Sequence, residues 1–560
     1  MNLAALNHEP TLLFRQPLAR NQIRFRLLTA QDDCEQVMLC FWKRTEPYPQ
    51  AMQEEAMTVR YRDGNRKEWL CEITFPEEAH YIKYCFRLHG RKAETVWYCE
   101  HGFSQAPPQQ GFFELLQVHE TDVRNQPQWS QGLIYYQIFP ERFAVGNAAK
   151  PDRDYVPWDS QPTRENYFGG DLLGIQQKLP YLAEVGVECL YLTPVFHGDF
   201  NHKYATTDYF QVDPDFGTNE TLIALVDTAH RHGIRVMLDG VFNHVGTRFA
   251  PFADLIRNGE ASAYRDWFYP KRFPIRLDPV CYECVGDYPY MPRLRVANPA
   301  VREYVLSVLT YWLRTAHIDG WRLDVADELD VQTLRYLRQG VKAEFPDALL
   351  LGETWADASR MINEGDQLDC AMNYLFREAM VDFFARGSID AAALDHRLQR
   401  MLMKYPNEVN QAMYNCLSSH DTPRFLTEAR NELWRLQLAM AFQILFIGSP
   451  AIYYGDELGM AGANDPGCRG GMAWKQQDSE LRTWVIDLLA LRKASNAVRK
   501  GSYRTLLAGS ANPDLFCFER SDGQSRVIAV FNRGEQPYTA DLADGVGTIT
   551  VPPRSVKIIQ

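Results

Sequence analysis

Nowhere in this chain of 560 residues does an apolar run approach the ~20 residues of a membrane-crossing helix. Lysine and arginine never gather into a stripe, and the formal net charge is -12. A role that depends on neutralising nucleic-acid phosphates is therefore excluded, and the expected partner is neutral or small. The start, MNLAALNHEPTLLFRQ, lacks the basic flank and unbroken apolar core of a secretory signal. With no membrane span, this predicts a soluble cytoplasmic protein. The cysteines form no framework: Cys85, Cys189, Cys370 and Cys517 sit in apolar segments, as reduced packing thiols do. Cys281 and Cys284 make a C-x-x-C pair, but no second pair lies nearby to complete a zinc or redox site, so a structural reading is preferred. Sequence repeats and low-complexity stretches are also missing.

What is present is an ordinary globular composition in a chain too long for one core, which predicts a large domain with smaller ones attached. From Asn21 to Phe113 the pattern alternates, as in QIRFRLL, VMLCFW, WLCEITF and YIKYCFRL, and predicts a β-sandwich domain over 1–125. From Leu133 short apolar strands alternate with helical stretches. Eight strands are expected, ending near Arg142, Phe196, His244, Val325, Trp355, Tyr374, Asp421 and Glu457. Between them, Leu334, Leu337, Val341 and Phe345 mark one amphipathic helix. Eight such alternations predict a (β/α)8 TIM barrel over 126–500. The long interval after the third strand reads as a subdomain inserted over about 245–298. Alternation returns in LFCFER, VIAVFN and SVKIIQ, predicting a C-terminal β-sandwich over 501–560.

A (β/α)8 barrel places its active site at the C-terminal ends of the strands. The polar residues there are Asp239, Asn243 and His244 on the third strand, Arg322, Asp324 and Glu328 on the fourth, Glu353 on the fifth, and His420 and Asp421 on the seventh. One carboxylate at a strand tip is more often a helix cap or an ion-pair partner. Four of them, with two histidines and an arginine, are harder to dismiss. A cation beside Asp324 would be opposed by Arg322, which argues against a metal. Glycosidic cleavage instead needs a carboxylate and a carboxylic acid flanking one bond. Asp324 and Glu353 fall on consecutive parallel strands, which lie ~4.8 Å apart, and this spacing favours a retaining mechanism. On strand IDGWRLDV, a period of two puts Trp321, Leu323 and Val325 outward, with Arg322 and Asp324 toward the axis. Arg322 is expected to lower the Asp324 pKa and keep it an anionic nucleophile, while neighbouring carboxylates raise that of Glu353 for acid/base work. Asp421 would bind hydroxyls and oppose the charge of the oxocarbenium-like transition state.

DGVFNH, GWRLDVADE, GETW and SSHD, in that order, resemble the four short motifs of the α-amylase superfamily, glycoside hydrolase family 13. MPRLR, the terminal Glu328 of the second motif, FAPFADLIRNGEASAYRDWF and NDPGCRGGMAW are similar to its cyclomaltodextrinase, neopullulanase and maltogenic amylase group. The resemblance covers nearly the whole chain. It implies Asp324 as nucleophile, Glu353 as acid/base and Asp421 as stabiliser. It also implies that Arg322, His244, His420 and Asp239 shape the subsite of the cleaved glucose, where Tyr204 stacks and His202 hydrogen-bonds. Asn243 belongs to the same strand tip, Glu328 and Trp355 face the leaving-group side, and Asp465 and Arg469 hold the non-reducing end. The chain departs from the pattern at Arg295, where Asn is typical, and at Ala205, where Asp is usual. Val145 and Lys150 stand where several members bind calcium, and a lysine ammonium opposes a cation even though Asn147 and Asp171 remain. No cofactor is required. The implied activity is hydrolysis of α-1,4 links in cyclomaltodextrins and maltooligosaccharides, with pullulan and some transglycosylation, by a homodimer whose N-terminal domains narrow each other's sites. The alternatives are a maltodextrin glucosidase, an α-1,6-acting oligosaccharidase, or a non-catalytic glycan-binding protein, which would be expected to lack one of the three carboxylates.

Overall fold

The eight apolar runs fold as short parallel strands whose residues are all buried except Arg235. They are β1 (Tyr135–Ile138), β2 (Cys189–Leu192), β3 (Arg235–Gly240), β4 (Gly320–Leu323), β5 (Leu349–Gly352), β6 (Cys370–Ala371), β7 (Tyr414–Cys416) and β8 (Ser449–Tyr453). Each pairs with its neighbour in chain order except β6, and β8 also pairs with β1. A single parallel bridge from Met372 to Tyr414 joins the β6 end to β7, so the barrel is nearly closed. The computed structural model describes all residues except 147–149, 510–511 and 543–546.

Helices return the chain between strands. The amphipathic segment expected after β4 is helical over Val331–Glu344, with Leu334, Leu337 and Val341 buried. The Asp330 side chain caps it by accepting from Thr333 N at 3.0 Å. On β4 the two faces separate as period two requires. Trp321 points outward and donates from Nε1 to Leu309 O of the Pro299–Thr315 helix, 3.2 Å away, while Arg322 faces the axis. Val325 departs from the expected alternation. The strand ends at Leu323, and Val325 adopts a left-handed conformation at φ 45° and ψ 47°. A β-branched residue there is strained, a state that persists only where its surroundings impose it.

Two connections project from the C-terminal strand ends. After β2, a hairpin of Phe196–Gly198 and Thr206–Val212 carries His202 and Tyr204 at its tip. Lys203, at φ 59°, anchors that tip by pairing with Asp213 at 2.9 Å and Asp215 at 2.7 Å. After β3, the insert runs through helix Ala250–Asn258 and returns to the strand end by a bridge between His244 and Arg293.

By contacts the chain divides into two units. The first holds Met1–Asn125, Asn363–Gly365 and Ala392–Asn407, and the second holds the rest. In the first, two antiparallel sheets enclose a core that includes Phe25, Leu39, Tyr84 and Phe86. In the second, a four-stranded C-terminal sheet and a two-stranded one share a core of Leu515, Cys517, Ile528, Val530, Ile549 and Val551. Among the described residues no helix is long and apolar enough to cross a membrane.

Candidate active site

Arg322 is the hub. Strand register sets Asp239 of β3 beside Arg322 of β4 and Leu351 of β5. The fully buried guanidinium donates from Nη1 to Asp239 Oδ1 at 2.8 Å and to Asp324 Oδ1 at 2.6 Å. Its Nη2 lies 2.8 Å from Glu353 Oε2. Glu353 Oε2 also accepts from Val325 N at 2.9 Å, so the strained turn after β4 holds the carboxyl that leaves β5. Asp239 in turn accepts from the hydroxyls of Tyr191 at 2.6 Å and Tyr204 at 2.9 Å.

Arg322 lowers the Asp324 carboxyl as expected, but its charge is shared. One cation serves three carboxylates. Burial, with the charges of Glu353 and Asp239, pushes the Asp324 carboxyl well up despite Arg322. Burial and the charge of Asp421 likewise push Glu353 up against the pull of Arg322. Two buried carboxyls on one guanidinium resist ionising together, and a proton shared by the pair relieves them. Asp421 goes the other way: burial alone would raise it, but His420, Arg469 and Arg322 hold it below the usual carboxylate range. His420 Nε2 lies 3.0 Å from Asp421 Oδ2, and Arg469 Nη2 is 3.2 Å from Oδ1. Arg322 itself is raised, because Asp239 and Glu353 outweigh the cost of its burial.

The rings form a wall. Tyr204 and His420 stack at 5.5 Å with planes 2° apart, and Gln137 of β1 holds His420 Nδ1 at 2.7 Å. Burial lowers His244 to about 4, and burial with the charge of Arg469 lowers His202 to about 3. Both are neutral near pH 7. Neither ring nitrogen of His244 meets a hydrogen-bond partner among the described residues, which leaves it able to bond a sugar hydroxyl.

Above this floor opens a cleft of about 330 Å3. Of the residues expected from the sequence, it is lined by His202, Tyr204, His244, Asp324, Glu353, Trp355, Asp421, Asp465 and Arg469. Asp239, Arg322 and His420 do not line it; they bond to residues that do. Asn243 and Glu328 do not line it either. Asn243 Nδ2 donates to Glu328 Oε2 at 3.0 Å, and Arg293 pairs with the same oxygen at 3.3 Å. Trp355 is half exposed and stacks on Tyr374 at 4.1 Å. Arg469 Nη1 holds Asp465 at 2.9 Å. The sequence reading missed Arg164, Tyr288 and Tyr290, which line the same cleft from a loop and from the insert. It also missed Gln137 and Tyr191. A polar glutamine and an inward tyrosine in barrel strands were a signal that period two could have caught.

A model described as the alpha amylase catalytic domain matches residues 137–500, and one described as the alpha amylase N-terminal ig-like domain matches residues 1–119. This chain belongs to the α-amylase family. It is 42% identical over 545 residues to a cyclomaltodextrinase of Geobacillus thermopakistaniensis, covering 96% of this chain and 92% of that one. It is 40% identical over 544 residues to neopullulanase 2 of Thermoactinomyces vulgaris, with 96% and 92% covered. A solved structure titled cyclomaltodextrinase matches with a TM-score of 0.92 at 37% identity, covering 99% of this chain and 98% of that one. The protein is an α-glucan hydrolase of this family.

Calcium, which some α-amylase family members bind near the first barrel strand, does not fit the residues described here. The Lys150 ammonium pairs with the Asp171 carboxylate and donates to Gly169 O at 2.6 Å, filling the oxygens that a cation would need. Asn147 lies outside the described residues. Elsewhere, Cys281 and Cys284 are free thiols whose sulfurs contact backbone carbonyls, and no metal-binding cluster occurs among the described residues.

Proposed function

We propose that this α-amylase family enzyme cleaves α-1,4 bonds of cyclomaltodextrins and short maltooligosaccharides, and of pullulan, with retention of configuration. The observation that carries the reading is the pair Asp324 and Glu353, on adjacent strands, bound to one buried guanidinium at the floor of a cleft with aromatic walls. Asp324 attacks the anomeric carbon as the anionic member of the coupled pair, while Glu353, whose carboxyl is also pushed up, carries the pair's shared proton and protonates the leaving oxygen. Glu353 then takes a proton from water, which hydrolyses the glycosyl-enzyme. Asp421, held below the usual carboxylate range, opposes the positive charge of the transition state and binds ring hydroxyls.

Tyr204 supplies a stacking face beside the cleaved bond, and His202 and His244, both neutral, bond its hydroxyls together with His420. Arg469 and Asp465 hold the non-reducing end. Trp355 faces the leaving group, and Glu328 acts there together with Asn243 and Arg293. The relatives named cyclomaltodextrinase and neopullulanase support the substrate class. A sugar acceptor in place of water gives transglycosylation by the same two steps. Twelve free thiols support a reducing, cytoplasmic compartment. We infer a homodimer in which the N-terminal domain of one chain narrows the other's cleft. The match of the N-terminal ig-like model is consistent with such a domain. A monomer on sedimentation, or an unchanged cyclodextrin rate after removal of residues 1–125, contradicts that arrangement.

The deciding experiment is a product profile on β-cyclodextrin, pullulan and maltotriose. Ring opening followed by maltose and glucose is expected. Stepwise glucose release with cyclodextrin untouched assigns the site to a maltodextrin glucosidase instead.

A further inference from the structure

One end of the catalytic cleft is closed by side chains that come from four separate connections. Asp465, in the loop after β8, pairs with Arg469 at 2.9 Å and, through its other oxygen, with Arg164 at 3.5 Å. Arg164 belongs to the loop between β1 and helix Leu172–Gln177. It also hydrogen-bonds to the Tyr288 side chain of the insert, and that bond, with the charge of Asp465, raises its pKa. From Tyr288 the contacts continue as rings. Tyr288 meets Tyr290 at 5.5 Å, Tyr290 meets Phe200 at 4.6 Å, and Phe200 stacks on His202 at 5.2 Å. The rim thus returns to the hairpin that carries His202 and Tyr204.

The two ends of the cleft differ. Toward the leaving group, Trp355 stands half exposed beside Val325. At the closed end, the order of contacts counts the sugars. One glucose lies against Tyr204 and Asp421, Arg469 and Asp465 take the next, and a third meets Arg164. It passes only by displacing the guanidinium from Asp465 and Tyr288. The cleft volume of about 330 Å3 is at the lower end of the range for small-ligand pockets, as a short site requires.

We propose that Arg164 sets the length of the product released from the non-reducing end, its link between Asp465 and Tyr288 stopping the chain after two glucose units. The inference rests on the placement of the non-reducing end at Asp465 and Arg469 under the proposed function. The Arg164 side chain is 56% exposed, so the pair resists displacement only modestly, and the stop is a bias in product size rather than a wall.

The test digests maltoheptaose labelled at its reducing end with the full-length protein and reads the labelled fragments at initial rate. The parent is expected to leave labelled maltopentaose, the remainder once maltose is removed. Arg164→Ala should raise the share of labelled maltotetraose, the remainder once maltotriose is removed, about fivefold, the scale of one surface ion pair. Tyr288→Phe, which removes only the hydroxyl, should raise that share less. Unchanged fragment sizes in Arg164→Ala overturn the proposal, as does a parent that already cuts at random along the chain. Should Arg164→Ala fail to fold, Tyr288→Phe decides by the same ratio. Labelled maltose that lengthens to labelled maltotriose in Arg164→Ala would put the reducing end at Arg164. That result defeats the orientation on which the inference rests, and the fragment that moves tells this failure from the first.

Discussion

Arg322 and Arg492 are both fully buried in the same unit, and they illustrate two different uses of a buried cation. Arg492, on helix Glu480–Ala494, donates to the carbonyls of Gly132 at 3.1 Å, Ile444 at 2.6 Å and Phe446 at 3.2 Å, and also to Gly448 O. Its partners are neutral dipoles, and burial with the charges of Arg520 and Arg499 lowers its pKa. The ion pairs of Arg322 are with the carboxylates of Asp239, Asp324 and Glu353, and its pKa rises. Burial of charge by itself therefore does not mark a site. What marks it is a set of partners whose protonation the cation can control.

The comparison is broken most severely at Arg322. Arg322→Met leaves three carboxyls to hold one another's protons, and kcat should fall roughly 10⁴-fold; residual activity within tenfold of the parent would show that Arg322 is mere scaffolding. Next comes Glu353→Gln, with a loss of about 10³-fold in kcat/KM. Because the raised pKa of Glu353 keeps its acid form present at higher pH, parent activity is lost as pH rises through that value. The variant's residual rate should lack this basic limb, which a pH profile of kcat/KM reads directly. Asp421, held low, should not set an acid limb above the ordinary carboxylate range.

Arg492→Met sharpens the contrast from the other side. It strands several buried carbonyls and should cost about 3 kcal/mol of stability while kcat per folded molecule stays at the parent level. A thermal melt paired with active-site titration separates the two effects. The smallest effect is expected at Val325→Gly. Glycine relieves the left-handed strain and should stabilise the fold by about 1 kcal/mol, while loosening the N–H that fixes Glu353 and lowering kcat about tenfold. A higher melting temperature with unchanged kcat would remove Val325 from the account of the site.

The sequence made the barrel legible because each strand is a short apolar run that ends in a polar residue. The same rule places Asp239, Asp324, Glu353 and Asp421 at one mouth of the barrel. It failed where geometry is set by distant contacts. Lys203 and its two aspartates fix the hairpin that aims Tyr204, and nothing local in NHKYATTDY dictates that pairing. Tyr288, Tyr290 and Arg164 reach the cleft through loops whose course no periodicity encodes. The balance of charge around Asp324 was only half legible for a related reason. Spacing along β4 reveals its Arg322 neighbour, but only the closed barrel reveals that Asp239 and Glu353 draw on the same guanidinium.

The central claim is that Asp324 forms a covalent bond to the sugar. Incubation with 5-fluoro-α-glucosyl fluoride, followed by peptide mass mapping, tests it most directly. A single glycosyl adduct on Asp324, with turnover of normal substrate giving the α-anomer first, is the predicted result. An adduct on Glu353, or no adduct with the β-anomer released first, would contradict the account.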